Sequence, residues 1–453
     1  MPEQTGLPVH SKGVFPVDPE CQTALVDSDL KGGVQDCGTG VRPQGRCFSV
    51  TVRVVWGWIP LLIALAPNMA LKGGGSRDWE RLLSGEARGP LASLGRMGLW
   101  LASGLYGAGW WLREAFRKKP VQLARPVISV GNLTVGGTGK TPAVAWIARW
   151  LRDRDIQVAL LSRGYGADDN RQNDEALLLE EILPDVPHLQ GPDRVETGKT
   201  AIDELESQLL LLDDGFQHRG LYRDLDLVLI DATCPWGHGH LLPRGLLREP
   251  VRGLNRAHAV LLTRCDQVEA DRLADLRALL KRKFPDLPVV LTRHHAVGLV
   301  REGEDELLPL EQLGGRDVAA FSGIGRPEAF RKTLEQIGAR VVDQRVFPDH
   351  FAYDRDTVRD LRHWASSQPE GTVMACTRKD LVKLRLADLG GRPLYAPHVE
   401  LEILEGRETL EALLEKQCEA ALAAEQIDND SVIHLSEREE PSGYAGPYIE
   451  EQP

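Results

Sequence analysis

The chain has 453 residues, 42% of them hydrophobic and 26% charged, with a formal net charge of −12. That is material for two or three domains with a sizeable core, and its acidity argues against nucleic acid as the main partner. Its seven cysteines (Cys21, Cys37, Cys47, Cys234, Cys265, Cys376 and Cys418) include no C-x-x-C pair, so a zinc or disulfide framework has no basis and the chain reads as reduced and cytoplasmic.

Residues 1–50 show no sustained period and many Gly and Pro. Val54–Pro67 is apolar, but its 14 residues fall short of the ~20 that a bilayer span needs. Met69 opens a more ordinary sequence, so residues 1–68 read as disordered or as a mis-called extension. The next segment, 69–119, contains the apolar run Met97–Leu112, with Trp100, Tyr106, Trp110 and Trp111, followed by Arg113, Arg117, Lys118 and Lys119. Aromatics beside a basic flank suit a helix at the cytoplasmic leaflet, although a run of this length also fits a buried core helix. Gly98, Gly104, Gly107 and Gly109 weaken an isolated helix and point to close packing.

From residue 120 short β-branched runs alternate with helical stretches. Strands are predicted at Val127–Val130, Val158–Ser162, Leu209–Leu212, Leu227–Asp231, Ala259–Thr263, Val289–Thr292, Val318–Ser322, Arg340–Val346 and Thr372–Cys376. Helices are predicted at Thr141–Asp153, Asp174–Leu183, Val268–Lys283, Arg326–Ile337, Arg355–Ser366 and Glu408–Glu425. Nearly continuous apolar strands separated by helices indicate a mostly parallel α/β sheet covered on both faces, with sites at the carboxyl ends of its strands. The Pro, Gly and charge-rich interruption at 285–317 divides a domain at 120–290 from a smaller α/β domain at 291–424. From Glu425 to Pro453 eight acidic residues face one arginine, which reads as a disordered acidic tail.

The first domain opens with Pro126–Pro142, an apolar strand running into Thr134-Val-Gly-Gly-Thr-Gly-Lys-Thr141. Gly136, Gly137 and Gly139 leave no Cβ between backbone and ligand, so several N–H groups can converge on one anion at a helix start. Lys140 would reach the β- and γ-phosphates and the Thr141 hydroxyl would hold Mg²⁺. The pattern G-x-x-x-x-G-K-[ST] has glycine where this chain has Thr134. Residues 134–141 therefore predict a bound nucleotide.

Leu209–His218 is an apolar strand ending in Asp213, Asp214, a glycine and His218; a strand-end aspartate is where such an enzyme keeps a ligand for Mg²⁺. The two aspartates alternate in direction and should not do the same job. Asp174-Glu175 reads either as an acidic first helical turn or as a metal ligand beside a group near the attacking hydroxyl. His350, in Phe347-Pro-Asp-His350, reads equally as a proton acceptor or as a structural residue. Arg244 and Arg248, on the proline-bracketed loop Leu242–Pro250, would clamp a phosphate or simply face solvent. Thr263-Arg-Cys-Asp266 is a weak match to a guanine-reading element, with Arg264 in place of lysine.

Together with Leu161–Gly166, Gly191–Arg194 and Phe321–Pro327, these strings resemble the tetraacyldisaccharide 4′-kinase family, in order from about residue 88 to 400. The resemblance leaves out residues 1–68 and the acidic tail, and Thr377-Arg-Lys-Asp380 stands where the family usually has Thr-Glu-Lys-Asp. It implies a P-loop α/β core, a smaller α/β domain on a flexible connection and an N-terminal membrane-associated helix, matched by Met97–Leu112. It also implies transfer of the γ-phosphate of ATP to the 4′-hydroxyl of a tetraacylated glucosamine disaccharide 1-phosphate, in lipid A biosynthesis at the cytoplasmic face of the inner membrane. By that resemblance Asp174 and His350 form the base, Lys140 binds phosphates, and Thr141 and Glu175 hold Mg²⁺. Asp213, Asp214 and His218 complete the site, and no obligate protein partner is implied. Two other readings stay open: a membrane-associated partitioning ATPase or GTPase, whose loop carries a lysine where Val135 stands, and a non-catalytic nucleotide sensor.

Overall fold

The computed structural model describes residues 76–164 and 174–436. The N-terminal extension, Val54–Pro67, Tyr165–Gly166 and the tail beyond Ser436 lie outside the described residues. In chain order the elements are α1 (Ser76–Leu83), α2 (Pro90–Ala115), β1 (Val127–Asn132), α3 (Lys140–Arg152), β2 (Val158–Ser162), α4 (Asp174–Ile182), β3 (His188–Gln190), α5 (Arg194–Asp203), β4 (Leu209–Asp213) and β5 (Leu225–Asp231). They continue with β6 (Ala259–Thr263), α6 (Ala270–Lys283), β7 (Val289–Val300), β8 (Asp317–Ser322), α7 (Pro327–Gln336), β9 (Arg340–Val346) and α8 (Arg355–Ser366). The last are β10 (Val373–Cys376), α9 (Arg378–Leu384), β11 (Asp388–Leu389), β12 (Arg392–Glu405) and α10 (Arg407–Ser436).

Two compact units result. Among the described residues, the first joins those up to Ser103 with His238–Gly245, and the second joins those of Gly104–Gly237 with those from Leu246 onward. In the first unit the Ser103 hydroxyl donates to Leu241 O at 2.8 Å and accepts from the Arg244 amide at 2.9 Å.

The second unit is built on a sheet ordered β3-β2-β4-β1-β5-β6-β7-β12-β10-β8-β9. Its pairings are parallel except for β7 with β12 and β11 with β12, which are antiparallel. Successive residues of the buried strands serve opposite faces. Ile128, Val130, Leu209 and Leu211 pack with Ala143, Ile147 and Leu151 of α3, while Val127, Leu210 and Leu212 pack with Ala201 of α5. Each such leucine contributes about 1.5–3 kcal/mol when fully buried, which is why these strands read as continuous apolar runs rather than alternating ones.

The region after residue 290 departs from the predicted elements. β7 runs to Val300, well past Thr292, and pairs with β12, which was not predicted. β12 carries the alternation of a strand with one face partly open, as in Val399-Glu-Leu-Glu-Ile403, whereas the added part of β7 interrupts its apolar residues with Arg293, His294 and His295. The boundary expected near residue 290 falls at the second residue of β7, and the sheet passes through it without a break. α10 continues to Ser436, past Glu425, because no glycine or proline interrupts the intervening sequence. α2 spans Pro90–Ala115, longer than Met97–Leu112 at both ends. Among the described residues no helix is long and apolar enough to cross a membrane.

Candidate active site

β1 lies between β4 and β5, with Val130 in register with Asp213. The loop leaving β1 and the carboxylates leaving β4 therefore emerge side by side. Residues 133–139 of that loop are tied down from both sides. Val135 N donates to Leu246 O and Arg248 N to Leu133 O, each at 2.8 Å. Thr263 Oγ1 donates to Thr138 O at 2.9 Å, and the Arg264 guanidinium to Gly137 O at 2.8 Å. Thr134 makes an antiparallel bridge with Leu247 and keeps a negative φ, so the usual glycine is not needed at that position. Gly136 and Gly139 do need their freedom, with φ of 103° and 88°. A Cβ at Gly136 or Gly137 would meet only open space on the cradle side, whereas one at Gly139 would collide with the His294 ring.

His294, on β7, carried no signal in the sequence. It is buried beneath the loop, and burial, helped by the charge of Arg264, lowers its pKa to about 3. The ring is neutral and its Nε2 has no partner. Arg264 turns inward to pair with Asp231, which also holds Arg326, and Asp266 accepts from Gln336 Nε2 at 2.9 Å. The Thr263–Asp266 element thus braces the phosphate loop, and the guanine-reading interpretation loses its support.

The paired aspartates diverge. Asp213 ends β4 with its carboxyl buried and Oδ1 unpartnered; burial, with the nearby Glu175 charge, raises its pKa well above the carboxylate range. Asp214 adopts a left-handed φ of 54° and turns to Lys140 at 3.4 Å and Arg248 at 2.8 Å. Burial would raise its pKa, but those two cations outweigh it and hold the carboxylate ionised. His218 sits nearby among Arg194 and Arg223; burial first, then their charges, lower its pKa to about 4. Arg244 belongs to the first unit, where its guanidinium donates to Leu83 O at 2.7 Å.

The remaining residues meet around the start of α4. His350 Nδ1 lies 3.4 Å from Asp174 Oδ2, and the Lys383 ammonium lies 2.7 Å from the same oxygen. Burial would raise the Asp174 pKa, but hydrogen bonds from His350 and Lys383 bring it down to about 2. Lys379 is 3.7 Å from Glu175. Lys379 and Lys383 belong to α9, which is absent from the predicted helices. Its signal was present: Thr377 caps the helix by accepting from Asp380 N at 3.2 Å, with an acid three residues on, and the lysines are four apart on one face.

A glycine-rich loop between a strand and a helix, with an invading lysine and strand-end aspartates beside it, defines a P-loop nucleotide-binding α/β protein. Comparison with known proteins narrows this class. The family model described as tetraacyldisaccharide-1-P 4′-kinase matches residues 96–419. The tetraacyldisaccharide 4′-kinase of Anaeromyxobacter dehalogenans (strain 2CP-C) is 42% identical over 351 residues, 73% of this chain and 92% of the relative. That of Geobacter sulfurreducens is 36% identical over 359 residues, 75% and 98% of the two chains. The crystal structure of LpxK from Aquifex aeolicus in complex with ATP superposes with a TM-score of 0.57 at 31% identity, covering 71% of this chain and 99% of that one. The chain belongs to the tetraacyldisaccharide 4′-kinase family.

Proposed function

We propose that this kinase binds ATP on residues 134–141 and moves its γ-phosphate to the 4′-hydroxyl of a tetraacylated glucosamine disaccharide 1-phosphate, a lipid A precursor. The observation that carries this reading is the 3.4 Å approach of His350 to Asp174, two groups far apart in sequence, in the same unit as the phosphate loop. The sugar oxygen forms the new O–P bond as the bond to the β,γ-bridging oxygen breaks, and that oxygen leaves on ADP. The hydroxyl proton passes to the Asp174–His350 pair, whose carboxylate is ionised at neutral pH. Lys140 and the loop amides stabilise charge on the phosphates.

The residues present also fit Mg²⁺. Asp213 Oδ1 is buried without a partner and feels the repulsion of Glu175, a tension that a cation relieves. Thr141 and Glu175 would hold it, with Asp213 beside them, and it would neutralise charge on the phosphate oxygens. Among the described residues no cluster of three or more His, Cys, Asp or Glu stands ready for a metal. That suits an ion which takes one or two carboxylates and completes its shell with phosphates and water.

The acceptor's acyl chains place it in a bilayer, and we assign the protein to the cytoplasmic face of the inner membrane. Leu91, Leu94, Trp100, Leu101, Leu105 and Trp111 of α2 are exposed, and four cations follow at 113–119. Co-sedimentation with anionic vesicles tests this, and recovery of all the protein in the supernatant refutes it. For the reaction, labelled ATP and the disaccharide 1-phosphate should give labelled lipid. Asp174→Ala and Lys140→Ala should each lower the rate by about 10³-fold while the protein stays folded. ATP hydrolysis indifferent to the acceptor, with no labelled lipid, would overturn the reading.

A further inference from the structure

We propose that Lys379 is a second catalytic cation of the transfer, placed to contact the γ-phosphoryl group between the phosphate loop and the Asp174–His350 pair. The proposal rests on the kinase reading above and adds a residue to it.

Two lysines on successive turns of α9 reach the acceptor side, and they are held differently. Lys383 is locked on Asp174 at 2.7 Å. Lys379 has only long contacts, 3.7 Å to Glu175 Oε1, 3.5 Å to Asp349 Oδ1 and 3.4 Å to His350 Nε2. Its side chain is 13% exposed, so its charge is little hydrated and is shared among three distant partners. A dianionic phosphoryl oxygen is a stronger partner than any of them.

The location is also right. The far oxygen of Asp349 and the Gly137 amide of the phosphate loop both border Gly325: a Cβ there would lie 3.1 Å from Asp349 Oδ2 and 3.8 Å from Gly137 N. Lys379 therefore approaches from one side a carboxylate that borders the cradle on the other. The helix that delivers it is firmly seated. Asp380, fully buried, accepts from Thr377 Oγ1 at 2.5 Å, from Tyr353 Oη at 2.9 Å and from Gly323 N at 3.1 Å.

The contact to His350 gives the arrangement a further consequence. With Nδ1 donating to Asp174, Nε2 is the accepting nitrogen, and in the resting site it faces the Lys379 ammonium. When Lys379 shifts to the phosphoryl oxygens, that lone pair is released to the sugar hydroxyl. The same movement neutralises charge on the group being transferred and uncovers the proton acceptor.

The test uses full-length protein with Lys379→Ala, Lys379→Gln and Lys379→Arg, in detergent–lipid micelles with ATP and the disaccharide acceptor. Lys379→Ala and Lys379→Gln should lower kcat by about 10²–10³-fold with KM for the acceptor within a few fold, and Lys379→Arg should recover part of the loss. Titration of ATP and ADP should show the wild type favouring ATP more than Lys379→Ala does, by about tenfold. A kcat within threefold of wild type would overturn the proposal. So would a lowered kcat with an unchanged ATP-over-ADP preference, the signature of a residue that does not touch the γ-phosphate. If the wild type makes no labelled lipid, the kinase reading fails, while the ATP-over-ADP comparison still decides whether Lys379 touches the γ-phosphate.

Discussion

The two halves of the site are built in opposite ways. The phosphate loop is one continuous segment, bonded through its own backbone to Leu246 and Arg248 on one side and to Thr263 and Arg264 on the other. The acceptor side collects single side chains from α4, from the loop after β9 and from α9, and His350 there remains half exposed. A rigid cradle presents fixed dipoles without reorganisation. On the proposed mechanism this side admits a sugar and Lys379 exchanges partners, which its long contacts of 3.4, 3.5 and 3.7 Å permit.

The contrast can be broken at its rigid end first. Gly139→Ala forces an L-residue into a left-handed φ and drives its Cβ into the His294 ring. The cost should be about 2 kcal/mol or more, read as a lower urea midpoint, with ATP affinity reduced at least tenfold. An unchanged midpoint and affinity would show that the loop is soft.

The next effect lies on the acceptor side. Lys383→Met removes the strongest partner of Asp174 and should destabilise the protein by about 1 kcal/mol at neutral pH. The Asp174 pKa falls from 3.8 to about 2 on folding, so the stabilisation is complete above pH 3.8 and lost as pH falls through about 2. Urea unfolding of the variant and the wild type should therefore differ by a constant amount down to about pH 4 and converge below it. A gap that persists into acid would mean that Lys383 acts through packing alone.

The smallest effect concerns Arg378, which pairs with Glu181 at 2.9 Å and so ties α9 to the far end of α4. Arg378→Glu places two carboxylates face to face and should cost about 0.5–1 kcal/mol, visible as a small fall in melting temperature that high salt partly reverses. An increase in stability would sharpen the comparison differently, by showing that the helices are held only at Asp174.

What was legible in the sequence follows the same division. The phosphate loop and Asp213-Asp214 announce themselves because their chemistry sits in consecutive residues at strand ends. His294 and Lys379 do not, because their neighbours are supplied by long-range pairing. A histidine in the polar stretch Thr292–His295 of a strand and a lysine on a seven-residue helix look like ordinary surface residues until the sheet is assembled. The far part of β7 and the whole of β12 are weakly legible for a related reason. Polar residues such as Arg293, His294, Glu400 and Glu402 break up their apolar residues, so neither presents a continuous apolar run over its full length. The divergence of Asp213 and Asp214 was expected from their opposite directions, but which one would stay ionised depends on Lys140 and Arg248 arriving from other elements.

The antiparallel pairing of β7 with β12 works as a ruler. One of its strands carries His294 under the phosphate loop; the other pairs with β10, whose end leads directly into α9 and its lysines. The spacing between donor and acceptor is therefore counted out in strand residues, about 3.3 Å at a time. A slip of one residue would move the lysines by that much and turn every side chain on the strand to the wrong face, so insertions in either strand should be far less tolerated than insertions in the loops that join them.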